Sequence, residues 1–137
     1  MQLETPIPWL HIAGELGAVA DACGYRRVGV LGTRFTMGGQ VYPEALASVG
    51  IEAVVPERDD YEIVDRIIFA ELVEGIFTDE SRRAYRGVID RLGRRGCDAV
   101  ALACTEIPLL VGPADSSDPT LDSTRLLAAA ALREALA

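Results

Sequence analysis

The sequence predicts an α/β domain, a three-layer sandwich in which a parallel β-sheet is flanked by helices. Three observations predict it. A helical pattern ends at a glycine and a strand follows within a few residues, and this happens three times, at Gly24, Gly50 and Gly96. Glycine takes the left-handed backbone past a helix end more readily than other residues. The segments after these glycines, "RRVGVLGT", "IEAVVP" and "DAVALAC", are rich in Val, Ile, Leu and Ala without polar alternation, as strands buried on both faces are. Helix and strand alternate along the chain, which points to parallel pairing with crossover helices.

Taken in order, "ELGAVADACG" reads as a helix and Arg27–Gly32 as the first strand. A helix starting near Gly38 runs through "VYPEALASVG", and Ile51–Val55 is the second strand. The long middle, Asp59 to Arg95, carries no strand signal and reads as two successive helices broken near Gly75. In the first, Ile63, Ile67, Phe69, Ala70 and Val73 fall roughly along one stripe, the predicted buried face. The second opens at Thr78 as N-cap, with Asp79 and Glu80 in the first turn where the helix dipole favours acids. Ala99–Ala103 is the third strand, Thr120–Asp122 a short fourth, and a helix rich in alanine and leucine begins at about Ser123.

Composition bounds the function. A chain of 137 residues, half of them hydrophobic and a quarter charged, suits one domain with a real core. A net charge of -8 argues against a nucleic-acid or anionic-membrane surface, and no apolar run reaches the length of a membrane span. No basic region precedes an apolar one at the start, so no secretory signal is expected, and three cysteines without close pairing fit a reducing cytoplasm. There is no lysine, which excludes a pyridoxal-phosphate Schiff base and a Walker P-loop. With His11 the sole histidine and no Cys-x-x-Cys pair, a zinc site is not expected. His11 itself reads as a local hydrogen-bonding residue.

In an open parallel sheet, ligands bind beyond the carboxyl ends of the strands. Two loops there carry useful chemistry. "LGTRFTM" offers the hydroxyls of Thr33 and Thr36, and Gly32 lets backbone amides approach a ligand; a tight strand-to-helix turn would need the same residues. "LACTEIPLL" places Cys104 at a strand end, with Thr105 as a natural N-cap and Pro108 in the first turn of a helix. A thiol at a helix N-terminus has a lowered pKa, so a reactive thiolate is one reading of Cys104 and buried core filler the other. Cys23 and Cys97, beside helix-ending glycines, read as structural.

"VGVLGTRFTM", "ELVEGIF", "LACTEIPLLV" and "LDSTRLLAAAAL" together resemble the C-terminal half of the aspartate/glutamate racemase superfamily, nearest its aspartate racemase branch, over roughly Pro6 to Leu136. The resemblance implies a cofactor-independent isomerase in which two cysteines work on opposite faces of an acidic amino acid. It implies that Cys104 is the second catalytic cysteine, that Thr105 and Glu106 belong to the substrate-binding motif, and that the Thr33–Arg34–Thr36 loop helps hold the α-carboxylate. The chain departs from the family pattern in carrying no Cys-Asn-Thr motif, no asparagine at all, and Glu74 where some members offer a basic residue. Residues 1–137 therefore read as one domain equivalent to half of a two-domain racemase, bearing one of the two cysteines. A non-catalytic half-domain that binds a small carboxylate or packs on a partner is the alternative. The tail from residue 113, with the helix at about Ser123–Leu136, would pack on the missing half or on a partner chain. With Ile7, Trp9, Leu10 and Ile12 it presents apolar surface suited to a homodimer.

Overall fold

The computed structural model describes residues 11–136. The segment containing Ile7, Trp9 and Leu10 lies outside the described residues. The order is α1 (Ile12–Ala22), β1 (Arg27–Leu31), α2 (Arg34–Met37), α3 (Val41–Ala47), β2 (Glu52–Val54), α4 (Arg58–Ala70), α5 (Asp79–Arg94), β3 (Ala99–Leu102), β4 (Thr120–Asp122) and α6 (Ser123–Leu136). Single 3-10 turns occupy Leu72–Glu74, Ile107–Leu109 and Pro113–Asp115.

The four strands form one parallel sheet in the order β2-β1-β3-β4. Pairs such as Val28 with Ala99 and Leu31 with Leu102 set the register of the central ladder. Side chains alternate across it. Leu31, Val54, Val100 and Leu102 face α4 and α5 and pack with Ile67, Ile68, Tyr85, Val88 and Leu92. Val28, Val30, Ala99, Ala101 and Leu121 face the other way, against Ala13, Leu16 and Ala20 of α1 and Leu46 of α3. These are the three layers that continuous apolar strands require, since both faces must be covered.

Gly24, Gly50 and Gly96 have φ of 78°, 79° and 91°, and Gly75 has 76°, so the helix-ending turns form as the glycine punctuation predicts. Thr78 caps α5 by accepting the Ser81 N–H at 3.0 Å. Two details differ from the sequence reading. The segment after β1 forms a four-residue α2 followed by α3, not one helix starting near Gly38. The buried line of α4 is Val64, Ile67 and Ile68, continued by Leu72, while Phe69, Ala70 and Val73 face outward. The reason is polar. Asp60 and Asp65 are also buried on α4, held by arginines, and they turn the helix away from the most apolar stripe.

Helix α6 lies along α1 of its own chain, with Ala130 buried and Arg133 near Glu15 at 3.9 Å, while Leu132 and Leu136 stay exposed. His11 caps α1 by accepting the Ala13 N–H through Nδ1 at 3.2 Å. Among the described residues, no helix is long and apolar enough to cross a membrane.

Candidate functional site

The carboxyl ends of β1 and β3 lie side by side, because Leu31 pairs with Leu102 and the Ala103 N–H donates to the Leu31 carbonyl at 2.8 Å. The two loops singled out in the sequence therefore leave the sheet at one place. Gly32 sets their spacing. A Cβ there would meet the Ala103 carbonyl oxygen at 3.2 Å and the Thr36 side chain at 3.0 Å. A side chain there would have to push back Thr36 or the backbone that immediately precedes Cys104.

The first loop is a tight turn. Thr33 is the N-cap of α2, and its hydroxyl lies 3.4 Å from the Thr36 N–H and 3.5 Å from the Thr36 hydroxyl. Arg34 is gripped by α4. Asp65 accepts the Arg34 backbone N–H at 2.7 Å and its Nε–H at 2.9 Å, and Tyr61, one turn earlier, donates its hydroxyl to the Arg34 carbonyl at 3.0 Å. The Asp65 carboxylate is almost completely buried, and its hydrogen bond and charge raise the pKa of Arg34. Arg34 is thus held on the turn through its backbone N–H and Nε, which leaves the outer nitrogens of its guanidinium. The sequence reading missed Asp65 and Tyr61 because an acid and a tyrosine in a helix look like surface residues until their partner is known.

Cys104 is half-buried, and its Sγ donates to Glu106 Oε2 at 3.2 Å. The Thr105 hydroxyl donates to the same oxygen at 2.7 Å. Burial, the largest cause, raises the thiol pKa above its ordinary value; the backbone N–H groups of Glu106 and Ile107 pull it down, and the hydrogen bond and negative charge of the Glu106 side chain push it up, leaving it raised. The lowered thiol pKa expected from the sequence is therefore corrected. Beyond Cys104 the chain forms only a single 3-10 turn, Ile107–Leu109, whose N-cap is Glu106 and not Thr105, so no long helix dipole acts on the sulfur. Glu106 responds in the opposite sense. The Thr105 hydroxyl first, and the thiol second, lower its carboxyl pKa, so it stands as an anion beside a protonated sulfur.

The loop after Cys104 is anchored from α5. Arg82 donates from Nε to the Leu110 carbonyl at 2.9 Å, and Arg86 donates from Nε to Asp115 at 2.8 Å, while Asp115 accepts the Gly112 N–H at 2.9 Å. Tyr85, buried in the core on the same helix, donates to the Val64 carbonyl at 2.9 Å, and burial pushes its phenol pKa well up. On the other side, the buried Ser123 of the "DST" element donates to the Leu102 carbonyl at 3.1 Å, tying the start of α6 to the strand that ends at Cys104. Cys97 is buried at the start of β3, and Cys23 is exposed at the end of α1, both remote from this edge. Among the described residues, no group of three or more His, Cys, Asp or Glu side chains is placed to hold a metal ion.

The sequence pattern of Asp/Glu/Hydantoin racemases matches residues 1–131. The chain belongs to that family. A Synechococcus sp. (strain CC9605) glutamate racemase is 29% identical over 100 residues, covering 73% of this chain and 36% of its own. A crystal structure of a Yersinia pestis protein assigned to the Asp/Glu racemases superposes with a TM-score of 0.90 at 42% identity, over 95% of this chain and 57% of that one. An aspartate racemase homologue from Pyrococcus horikoshii OT3 gives 0.85 at 29% identity, over 98% and 59% respectively. Picrophilus torridus aspartate racemase gives 0.76 at 30% identity, over 93% of this chain and 53% of that chain. The chain thus has the racemase fold and spans less than two thirds of the length of each of these relatives.

Proposed function

We propose that this chain is a racemase half-site in which Cys104 performs cofactor-independent acid/base chemistry at the α-carbon of a small acidic amino acid of the aspartate class. The observation that carries the reading is the cysteine at the carboxyl edge of β3, bonded to Glu106 and set beside the Thr33–Thr36 turn, in a chain of the racemase family. Thr33, Thr36 and Thr105 are the hydroxyl donors within this edge that can serve a substrate carboxylate. Arg34, paired with Asp65, offers the outer nitrogens of its guanidinium. Glu106 is an anion, so its part is to hold the thiol and the Thr105 hydroxyl and not to bind a carboxylate.

Inversion needs an acid and a base on opposite faces of one carbon, each within hydrogen-bond reach. One Cys104 serves one face. The opposing group belongs to a second domain, of the kind the longer relatives have room for, and Val73, Ile76, Phe77 and Leu109, all exposed, offer it an apolar seat. The chain pairs with a second copy of itself, and three unpaired cysteines suit a cytoplasmic setting.

A single thiol has a distinctive signature. Its thiolate takes the α-proton, the resulting thiol exchanges with solvent, and the same face is re-protonated. In D2O the chain alone should therefore exchange the α-hydrogen of aspartate or glutamate slowly and with retention, and the rate should rise with pH because burial keeps the thiol protonated near neutrality. NMR follows the exchange, and Cys104→Ser should abolish it. Exchange in neither protein would replace this reading with a non-catalytic half-domain that binds a small carboxylate or packs on a partner. Racemisation by the isolated chain would show that a second acid/base group is already present.

A further inference from the structure

Helix α4 has a second face that its own fold leaves uncovered. Glu62, Arg66 and Phe69, at i, i+4 and i+7, are exposed, opposite the buried Val64, Ile67 and Ile68. An open groove of about 740 Å³ lies between this stripe and the α2 turn, where Phe35 is 76% exposed. All three phenylalanines of the chain, Phe35, Phe69 and Phe77, are exposed, so the residues best suited to a core face outward.

The charges beside them say what covers the stripe. Glu62 reaches Arg34 only at 4.0 Å, and that guanidinium is already held by Asp65 at 2.9 Å. Arg66 has no carboxylate within ion-pair reach among the described residues. Glu62 and Arg66 are one turn apart on a single helix. A twofold axis crossing α4 at the level of Val64 sets Glu62 of each copy opposite Arg66 of the other, with Phe35 and Phe69 flanking both pairs. Two chains of net charge -8 repel in general, and this stripe, with Glu62 balanced by Arg66 and Asp65 by Arg34, is charge-neutral.

We infer that the exposed face of α4 is the surface through which two copies of this chain associate, antiparallel, by reciprocal Glu62–Arg66 pairs flanked by the aromatic rings of Phe35 and Phe69. This rests on the dimer reading above and not on the chemistry of Cys104. It carries a consequence for the site. Tyr61 and Asp65 hold the turn beyond β1, so α4 climbs toward the carboxyl edge of the sheet. Antiparallel α4 helices point the two carboxyl edges in opposite directions, so two Cys104 thiols do not meet across this interface.

Charge exchange tests it, on the intact chain and at exposed positions. By sedimentation equilibrium at high micromolar concentration the native chain should have a mass near twice 14.7 kDa. Glu62→Arg alone places two arginines together in each pair, and Arg66→Glu alone places two glutamates together, so each should weaken the dimer by about tenfold or more. An equimolar mixture of the two variants restores both pairs and should recover a heterodimer. Phe69→Asp should give a monomer that the mixture cannot rescue. A native monomer overturns both this surface and the dimer reading. A native dimer that survives both single exchanges, or variants that stay monomeric when mixed, overturns this surface and leaves the dimer reading standing on another face.

Discussion

Replacing Glu106 with glutamine asks whether the acid beside Cys104 keeps the sulfur protonated. The substitution preserves size and an oxygen acceptor for the Thr105 hydroxyl, and removes one negative charge 3.2 Å from Sγ. At that separation a unit charge in a water-like dielectric contributes about 1 kcal/mol against the thiolate. The half-buried position admits solvent on one side, so this lower bound of the Coulomb range is the appropriate one. Converted to population, it makes the thiolate about fivefold more abundant at any pH below the thiol pKa. The assay is iodoacetamide labelling at pH 7 read by mass spectrometry, with Cys23 and Cys97 as internal references. Cys104 of Glu106→Gln should label about fivefold faster than in the native chain, with the other two cysteines unchanged. In the native chain the exposed Cys23 should label ahead of Cys104, and Cys97, buried and with its pKa raised by that burial, should label last. That order is the one expected of a buried thiol, whereas the reactive-thiolate reading of Cys104 would put it first. Equal or slower labelling of Cys104 in the variant would refute the reasoning and leave burial alone to hold the proton.

Gly32→Ala drives a Cβ to 3.2 Å from the Ala103 carbonyl and 3.0 Å from Thr36, so it should cost about 1–3 kcal/mol in urea unfolding and shift the NMR signals of Thr33 to Thr36 and of Cys104 together. Asp98 accepts the Arg26 N–H at 2.7 Å and the Arg27 N–H at 3.1 Å, and these bonds, the Arg26 one foremost, hold its carboxyl pKa below the usual range. A depressed folded pKa contributes stability that is present above the unfolded value and is lost as pH falls through the folded one. Asp98→Asn should therefore lower the urea midpoint at neutral pH, and the difference should close in strong acid.

The fold was legible where one local rule suffices. Gly24, Gly50 and Gly96 end helices because a left-handed residue is required there, and the strands after them are apolar on both faces because both faces are covered. Phe69 and Val73 were misplaced because apolar periodicity assumes that acids point outward. Asp60 and Asp65 break that assumption, since Arg91 and Arg34 satisfy them inside. The pairings responsible span 31 residues in sequence, and no local pattern announces them. Of the candidate site, the cysteine and the two loops were legible from the strand ends. The protonation of the sulfur was not, because it depends on where Glu106 folds back and on how short the turn after Cys104 is.

The two proposals constrain one another. A dimer built on α4 turns the carboxyl edges apart, so it cannot set one Cys104 against another across a substrate. If Cys104 acts as proposed, an isolated chain that dimerises in this way exchanges an α-hydrogen without inverting the centre, since every site retains a single thiol working on a single face. Glu106 adds a condition. With the sulfur protonated at rest, Cys104 is ready to donate a proton to one enantiomer's carbanion, and it must first lose its own proton before it can act as base on the other. A complementary half supplied in trans should then restore inversion, because it brings the second acid/base group that each site lacks.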